Sequence, residues 1–377
     1  MGILKFLKVS SLIVLFLLIG LNSFADGLKP FRPGEPWLDT DGKYINAHGG
    51  GILFQNGTYY WYGESKDEKV AFALEGVSCY SSKDLYSWKN EGIAFSVVKN
   101  DTTSDVTLGC TLERPKVIYN AKTKKYVMWF HLEFRNQGYK KARIALATSD
   151  SPTGPFVFKR SYRPNAGKWP LNFKTNKKFE DFAEAVNSKS IDRKTLVQEG
   201  YYFLRDFDGG QMSRDMTIYV DDDGKAYHIC ASEENQTLQI AELSDDYQSH
   251  TGKFIRVAVG NANEAPTIFK RKNKYYMITS GCTGWAPNAG RLLVADSMLG
   301  EWKTLPNPFI GKDSEKSFFS QGTYILPIQG KKDVFIFMAD RWNPQNLKFS
   351  SYIWLPIRFE NDLPVLKWFD SWDLSEF

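Results

Sequence analysis

Residues 48–64 read HGGGILFQNGTYYWYGE, which is a polar start, an apolar run, an Asn-Gly turn and a second run rich in aromatic residues. Asn56-Gly57 between two strand-like runs is a strong β-hairpin signal, because both turn positions tolerate positive φ. The phrase returns four more times, as ERPKVIYNAKTKKYVMWFHL (113–132), RDMTIYVDDDGKAYHICAS (214–232), EAPTIFKRKNKYYMITSG (264–281) and SQGTYILPIQGKKDVFIFMADRW (320–342). A hairpin unit repeated at a period of roughly 40 to 60 residues is typical of a β-propeller.

A second hairpin half follows the first in four of the repeats, and it combines a short apolar strand, Ser or Asp, a turn and an aromatic residue. The four copies are SCYSSKDLYSWKNEG (78–92), ALATSDSPTGPFVF (145–158), IAELSDDYQSHTGKF (240–254) and LLVADSMLGEWKTL (292–305). Four short strands per repeat make one blade, and a closed ring of blades leaves few exposed edges. The sequence therefore predicts an all-β fold, a five-bladed β-propeller of four-stranded antiparallel blades around a central channel.

The first 25 residues have the features of a secretory signal: Lys5 and Lys8, an apolar core at 13–21, and Ser23-Phe24-Ala25 as a cleavage site. We therefore predict an exported protein, periplasmic or extracellular, with residues 26–377 forming one propeller domain. The rest of the chain has no apolar run long enough to span a membrane. The longest spacing between repeats places an insertion at 159–211 at the rim, either as a functional lid or as a peripheral segment without a ligand role.

The composition sets limits on partners and cofactors. The chain has 377 residues, of which 42% are hydrophobic and 15% aromatic. Aromatic residues suit strands, and a minority are expected to line a sugar-binding groove. The net charge of +5 is spread without basic blocks, so nucleic acid is not an expected partner. The four cysteines lack C-x-x-C spacing, which argues against zinc. We expect a monomer that requires no cofactor, with room for a structural calcium ion in the channel.

Asp215 and Glu264 form the leading candidate pair, because each begins the inner strand of a different repeat and should face the channel mouth. A carboxyl group in an apolar setting near a second negative charge has its acid form favoured. A general acid that protonates a glycosidic oxygen needs this property. Asp215 is expected to stay ionised beside Arg214. Taken singly, each carboxylate is more typical of a cap or a salt bridge, whereas their matching positions in two repeats favour a joint functional role.

Two further residues leave alternatives open. Glu113 occupies the same phase in the second repeat, and either forms a structural salt bridge with Arg114 or accepts a hydrogen bond from a sugar hydroxyl. His48 opens the segment AHGGG, and either binds sugar or lines the channel as a satisfied histidine. An oxyanion-hole interpretation of HGGG would require a G-x-S-x-G elbow. The segment around Ser78 reads GVSCY instead, which argues against an esterase.

The chain resembles glycoside hydrolase family 43, in particular the branch with exo-β-1,3-galactanases, galactosidases and arabinofuranosidases. The matching phrases are NAHGGGILFQNGTYYWYGE, ERPKVIYN, SRDMTIYVDDDGKAY, NEAPTIFKRKNKYYMITSG, SGCTGWAPNAGRLLVADS and ADRWNPQNL. The resemblance implies a five-bladed propeller glycosidase in which Glu264 is the general acid. It also implies that Asp215 modulates that acid and orients substrate, and that Glu113 contacts substrate.

One feature departs from most of that family, in which an Asp general base lies on the first strand of the first blade. Here the segment reads Ile45-Asn46-Ala47-His48-Gly49, without an acid. The galactanase-like branch similarly lacks this Asp, and Gln321 matches the Gln proposed there to hold the attacking water. Since a neutral amide is a poor proton acceptor, either the amide is tautomerised or another group takes the proton.

The expected substrate is an oligo- or polysaccharide. We count Arg214, and Trp285 and Arg341 within the matching phrases, as substrate-binding candidates beside Glu113 and His48. The leading hypothesis is an inverting exo-glycosidase that releases galactose-type residues from plant-type arabinogalactan or galactan side chains. Alternatives are an α-L-arabinofuranosidase or β-D-galactofuranosidase of the same family, and a sugar-binding propeller without catalysis. Glu264 distinguishes the enzyme hypotheses from the last one, because a protein that only binds sugar has no need for a general acid there.

Overall fold

The computed structural model describes residues 30–377. The predicted secretory signal at 1–25 lies outside the described residues. Within 30–377, no helix has both the length and the apolar character that crossing a bilayer requires. The described chain is all-β apart from short helices, as predicted.

Five antiparallel sheets form the blades of the propeller. The first blade contains β1 (His48–Gln55), β2 (Thr58–Glu64), β3 (Gly76–Ser82) and β4 (Lys89–Ser96). The second contains β5 (Thr111–Asn120), β6 (Lys125–Glu133), β7 (Arg143–Ser149) and β8 (Val157–Tyr162). The third contains β9 (Met216–Val220), β10 (Ala226–Ser232), β11 (Thr237–Leu243) and β12 (His250–Val257). The fourth contains β13 (Asn263–Arg271), β14 (Lys274–Gly281), β15 (Arg291–Ala295) and β16 (Lys303–Leu305).

The fifth blade has three paired strands, which are β17 (Gln321–Pro327), β18 (Phe335–Arg341) and β19 (Ser351–Pro356). A separate hairpin follows, formed by β20 (Arg358–Glu360) and β21 (Leu363–Val365). Beside β19, the N–H of Gly34 donates to the carbonyl of Tyr352 at 2.8 Å. The segment around Gly34 is rich in proline, which lacks the N–H that a strand ladder needs, so it cannot complete the sheet.

The ring is closed by its innermost strands. β1, β5, β9, β13 and β17 each contact the next around the circle, and β17 contacts β1. Apolar side chains are packed between the faces of neighbouring blades, so that the core is divided into clusters between blades rather than concentrated at one centre. Between the fifth and first blades, Trp61, Trp88 and Trp354 are all buried and in mutual ring contact.

The starts of four inner strands are irregular, and this irregularity shapes the mouth of the channel. The register shifts between His48 and Gly51, Glu113 and Lys116, Glu264 and Thr267, and Gly322 and Tyr324. Bulges of this kind re-aim side chains at the end of a sheet. In three of them a residue has positive φ: Gly49 (61°), Arg114 (57°) and Ala265 (51°).

Each of these three residues donates its backbone N–H to a carboxylate from a neighbouring blade. Gly49 donates to Asp340 at 2.6 Å, Arg114 to Glu64 at 2.9 Å, and Ala265 to Asp215 at 3.1 Å. Acidic side chains therefore hold the bulges in place, and an acidic residue near the mouth is not by itself a sign of catalysis.

The segment between β8 and β9 contains a 3-10 helix (Phe179–Phe182) and the helices α1 (Ala183–Ser188), α2 (Arg193–Gln198) and α3 (Tyr201–Arg205). It packs on the outer strand of the third blade, where Phe203 contacts Phe254. Asn172 exchanges two hydrogen bonds with the backbone of Arg256. Three further short 3-10 helices lie at Ser314–Phe319, Leu347–Phe349 and Leu374–Glu376.

The far ends of the inner strands line a cavity of about 750 Å³ at the opposite mouth of the channel. Its lining includes Phe54, Tyr119, Tyr219, Phe269 and Tyr324. None of the predicted site residues contributes to this lining, so the candidate chemistry lies at the mouth where the inner strands begin.

Candidate active site

Arg114 lies at the centre of the polar cluster at the channel mouth. Its guanidinium donates to Asp215 Oδ2 at 2.9 Å, to Gln321 Oε1 at 2.6 Å and to the carbonyl of Gly322 at 2.8 Å. The side chain is buried and links the second, third and fifth blades. Arg114 was absent from the predicted site. Its position inside a bulge could not be inferred from a single sequence.

Asp215 is held by two donors, Arg114 and the backbone N–H of Ala265. Ala265 directly follows Glu264, so the second bond keeps the Asp215 carboxylate near Glu264. The expected pairing with Arg214 is wrong, because Arg214 donates to Glu234 Oε2 and to the carbonyl of Tyr139, each at 2.8 Å. Consecutive residues of an extended chain project to opposite sides, so Arg214 and Asp215 cannot easily face each other.

Glu264 is partly buried, and its Oε1 accepts a hydrogen bond from Asn235 Nδ2 at 2.8 Å. Burial first, and then the negative charge of Asp215, raises the pKa of Glu264 to about 7. Arg114 and the hydrogen bond from Asn235 act in the opposite direction. A carboxyl group that retains its proton near neutral pH has the property required of a general acid.

Gln321 has three polar partners. Its Oε1 accepts from Arg114 and from Trp342 Nε1 (3.1 Å), and its Nε2 donates to Ser280 Oγ at 3.1 Å. Both acceptor positions of the amide oxygen are therefore occupied. The arrangement brings Gln321, Asp215 and Glu264 to one cluster through Arg114 and Ala265.

Glu113 pairs with residues other than Arg114, contrary to one of the two expectations. Its carboxylate contacts His131 Nδ1 at 3.0 Å and accepts from the Tyr139 hydroxyl at 2.6 Å. Burial by itself would raise the pKa of Glu113, but the hydrogen bond and charge of His131 outweigh it and hold this pKa at about 2. His131 also contacts Glu133 at 3.1 Å. Although burial opposes its charged form, the two carboxylates raise the pKa of His131 to about 9. Glu113 is therefore an ionised acceptor.

His48 is fully buried below the mouth. Its ring stacks on Tyr352 at 5.2 Å between centroids, its Nε2 lies 3.3 Å from the carbonyl of Lys348, and its Nδ1 lies 3.6 Å from Asp340. With no exposed surface, the side chain fits the channel-lining alternative better than direct sugar binding.

Trp285 and Arg341 differ in their placement. Trp285 is 56% exposed, and its ring meets that of Trp342 edge-on at 5.9 Å; Trp342 in turn donates to Gln321. Arg341 instead donates to the carbonyl of Phe318 at 2.8 Å and lies over Trp368. The structure therefore does not bring Arg341 into the cluster. Its successor Trp342 contacts Gln321, as expected from the alternation of side chains along an extended chain.

The calcium ion considered for the channel stays a prediction. Among residues 30–377, no group of three or more His, Cys, Asp and Glu side chains is arranged to hold a metal. The carbonyls of Gly49 and Arg114 accept from Lys116 Nζ at 2.9 and 3.4 Å, so the amino group of Lys116 occupies the space beside these two carbonyls.

The chain is similar to known proteins in both sequence and structure. The family model described as glycosyl hydrolases family 43 matches residues 161–346. No match was found among curated protein sequences. A solved family 43 β-1,3-galactosidase with galactodeoxynojirimycin is 55% identical, with a TM-score of 0.87, and the match covers 91% of this chain and 100% of that chain.

Two exo-β-1,3-galactanases are more distant. The Clostridium thermocellum structure is 35% identical with a TM-score of 0.73, and the match covers 90% of this chain and 66% of that chain. The Phanerochaete chrysosporium structure with galactose is 31% identical with a TM-score of 0.73. That match covers 92% of this chain and 69% of that chain. The similarity therefore extends over most of the described chain.

Proposed function

The chain belongs to glycoside hydrolase family 43 and is a glycosidase, and on this premise we propose that it is an exported, inverting exo-enzyme that releases terminal galactose from β-1,3-linked galactan. The observation that carries the proposal is Glu264, whose pKa is raised to about 7 next to Asp215. The solved relatives with galactosidase and galactanase activities support galactose as the released sugar.

In the proposed reaction, Glu264 gives its proton to the glycosidic oxygen as the bond from that oxygen to the anomeric carbon breaks. A water oxygen forms the new bond to this carbon from the opposite face, which inverts its configuration. The proton lost by the water passes to solvent, and Glu264 is reprotonated from solvent. Asp215 remains the neighbouring charge that keeps Glu264 protonated.

We assign Gln321 to positioning the water rather than to accepting its proton. Two N–H donors, one of them cationic, face the amide oxygen. Donors stabilise a carbonyl oxygen, and hence the amide form over the tautomer in which that oxygen carries a proton. Among the alternatives left by the sequence, this favours a different proton acceptor.

The sugar-contacting groups follow from charge and exposure. Glu113 is an ionised acceptor for a sugar hydroxyl, fixed by His131 and Tyr139. Trp285 offers an exposed aromatic face to the apolar side of a sugar ring. Arg214 is engaged with Glu234, and we therefore do not place it in direct contact with substrate.

The experiment that tests this function is product analysis on a panel of substrates. The purified protein is incubated with β-1,3-galactan, arabinogalactan, nitrophenyl α-L-arabinofuranoside and nitrophenyl β-D-galactofuranoside. We expect free galactose from the first two substrates. Arabinose or galactofuranose as the main product would replace the proposal with one of the other activities of the family. Cell fractionation tests export, and recovery of the protein in the cytoplasm would contradict it.

A further inference from the structure

The turn between β10 and β11 adopts a backbone conformation that L-residues rarely take. Glu233, Glu234 and Asn235 have φ of 52°, 57° and 62°. Asn tolerates this region, but two consecutive glutamates do not favour it. Such strain persists only where the surroundings impose it, and it is concentrated at functional sites.

Asn235 connects this turn to the general acid through two groups. Its side-chain Nδ2 donates to Glu264 Oε1 at 2.8 Å. Its carbonyl accepts from the backbone N–H of Asn263, the residue before Glu264, at 2.9 Å. The turn therefore fixes both the backbone and the carboxyl group of the acid.

The two glutamates of the turn are held by arginines. Buried Glu233 forms a bidentate pair with buried Arg256 at 2.7 and 2.6 Å. Glu234 pairs with Arg205 at 3.0 Å and with Arg214 at 2.8 Å. Both carboxylates are thereby tied down, which explains how a strained turn stays in one conformation.

The insertion supplies much of this support. Arg205 ends α3, and Arg256 donates to the carbonyl of Val197 in α2 at 2.7 Å. Asn172 holds the backbone of Arg256 through two hydrogen bonds. The insertion, for which the sequence left both a lid and a peripheral role open, thus packs behind the turn that carries Asn235.

We propose that Asn235 is a positioning residue for Glu264 and that the insertion is the brace that keeps Asn235 in place. This inference rests on the proposed role of Glu264 as the acid. An N–H donor at Oε1 makes that oxygen the carbonyl oxygen of the protonated carboxyl group. The transferable proton is therefore on Oε2, directed to the leaving group.

The other groups that face Glu264 are Asp215, Arg114 and Cys282. Asp215 raises the pKa of Glu264, whereas Arg114, Cys282 and Asn235 lower it. Loss of Asn235 should therefore move the alkaline limb of the pH–rate profile to higher pH, because Glu264 keeps its proton longer. Loss of Asp215 has the opposite sign.

The test compares Asn235→Ala and Arg205→Met with Lys177→Met, which breaks an ion pair to Glu199 within the insertion and does not touch the turn. Each protein is assayed on β-1,3-galactobiose and on dinitrophenyl β-galactoside, whose good leaving group needs little acid assistance. We expect both test variants to lose roughly 10- to 100-fold in kcat on galactobiose, and much less on the activated substrate. The alkaline limb should move upward in both, while Lys177→Met matches the wild type and Arg205→Lys recovers part of the loss.

Equal losses on the two substrates, or an unchanged alkaline limb in Asn235→Ala, would overturn the inference. Glu264→Gln is assayed in parallel, so that a failure of the positioning role of Asn235 can be distinguished from a failure of the acid role of Glu264. If Glu264→Gln shows the leaving-group dependence and Asn235→Ala does not, only the positioning role fails. If Glu264→Gln lacks this dependence, the proposed function fails as well.

Discussion

Burial and two charged neighbours of opposite sign together set the pH at which Glu264 loses its proton. Burial is the main cause that favours the protonated form, Asp215 adds to it, and Arg114 opposes it. Activity that depends on protonated Glu264 should therefore be present below about pH 7 and fall as the pH rises through this value.

Asp215→Asn removes the negative charge that raises the pKa of Glu264 and leaves Arg114 without its carboxylate partner. Both changes lower the pKa of Glu264. The alkaline limb of the profile of kcat/KM against pH should therefore move to lower pH, together with a loss of rate at pH 7. A profile that superimposes on that of the wild type would show that Asp215 is only structural.

Gln321→Ala removes the group proposed to hold the attacking water. We expect a strong decrease in kcat on β-1,3-galactobiose with little change in sugar affinity, because the role proposed for Gln321 concerns the water and not the glycone. Steady-state kinetics measures the decrease in kcat, and isothermal titration calorimetry with galactose measures the sugar affinity. Wild-type turnover in this variant would remove Gln321 from the mechanism.

For individual residues, the sequence indicates which ones start the inner strands, but it does not indicate which partners they contact. The phase of the repeat was sufficient to bring Asp215, Glu264 and Gln321 into one cluster. Glu113 contacts His131 and Tyr139 instead of Arg114, which excludes one of its two open alternatives, and Asp215 pairs with Arg114 while Arg214 pairs with Glu234. The true partners come from other strands and other blades, and a single sequence does not contain this register.

Among the elements, the bulged start of β1 leaves no room for side chains at two glycines. A Cβ at Gly50 would lie 1.8 Å from the carbonyl oxygen of Tyr62 on β2, and one at Gly49 would lie 2.1 Å from Glu64 Oε1. The segment HGGG is therefore explained by the close approach of β1 and β2, without an oxyanion hole.

Gly50→Ala should destabilise the fold, because the new methyl group meets backbone that must shift. The expected cost is about 1–3 kcal/mol in the free energy of unfolding, measured by urea denaturation. Gly209→Ala is the matched control, since a Cβ there meets nothing within 4 Å. Equal stability of the two variants would contradict the packing assigned to this bulge.

The strands themselves were predictable from the hairpin phrases, whereas the bulges and the brace were not. Alternating apolar runs determine which residues pair, but a bulge inserts one residue without a signature in composition. The insertion at 159–211 was expected, without a role assigned to it. Its position behind the turn at 233–235 depends on contacts between distant residues such as Arg205 and Glu234.

For the whole molecule, the ring is secured by contacts between the two ends of the described chain. Phe31 and Trp372 exchange backbone hydrogen bonds and stack at 4.4 Å. The N–H of Leu374 donates to the hydroxyl of Tyr86 in the first blade at 2.9 Å. The C-terminal segment therefore joins the fifth blade to the first.

Trp372→Ala should weaken this closure. Trp372 is 2% exposed, and truncation of a buried Trp typically costs about 3–5 kcal/mol. Trp285→Ala, at an exposed indole, should leave the unfolding free energy nearly unchanged. If thermal unfolding of Trp372→Ala matched that of the wild type, the contact between the chain ends would not be a structural closure.

The number of blades and their order were predictable, because five copies of one phrase specify five hairpins and a ring is the arrangement that leaves few edges. The sequence did not reveal that the fifth blade contains three strands. The sequence did not reveal the identity of the released sugar either. In the proposed site, this depends on how Glu113, Trp285 and Gln321, which come from three blades, are arranged at the channel mouth.

The assignment of Glu264 as the general acid is tested most directly by the turnover of Glu264→Gln on β-1,3-galactan. General acid assistance is worth about 10²- to 10⁴-fold, and the substitution keeps the shape of the side chain while removing the transferable proton. We predict a loss of galactose release within this range, with galactose binding retained. Near-normal release of galactose by Glu264→Gln would contradict the assignment of the general acid, and with it the mechanism proposed for this site.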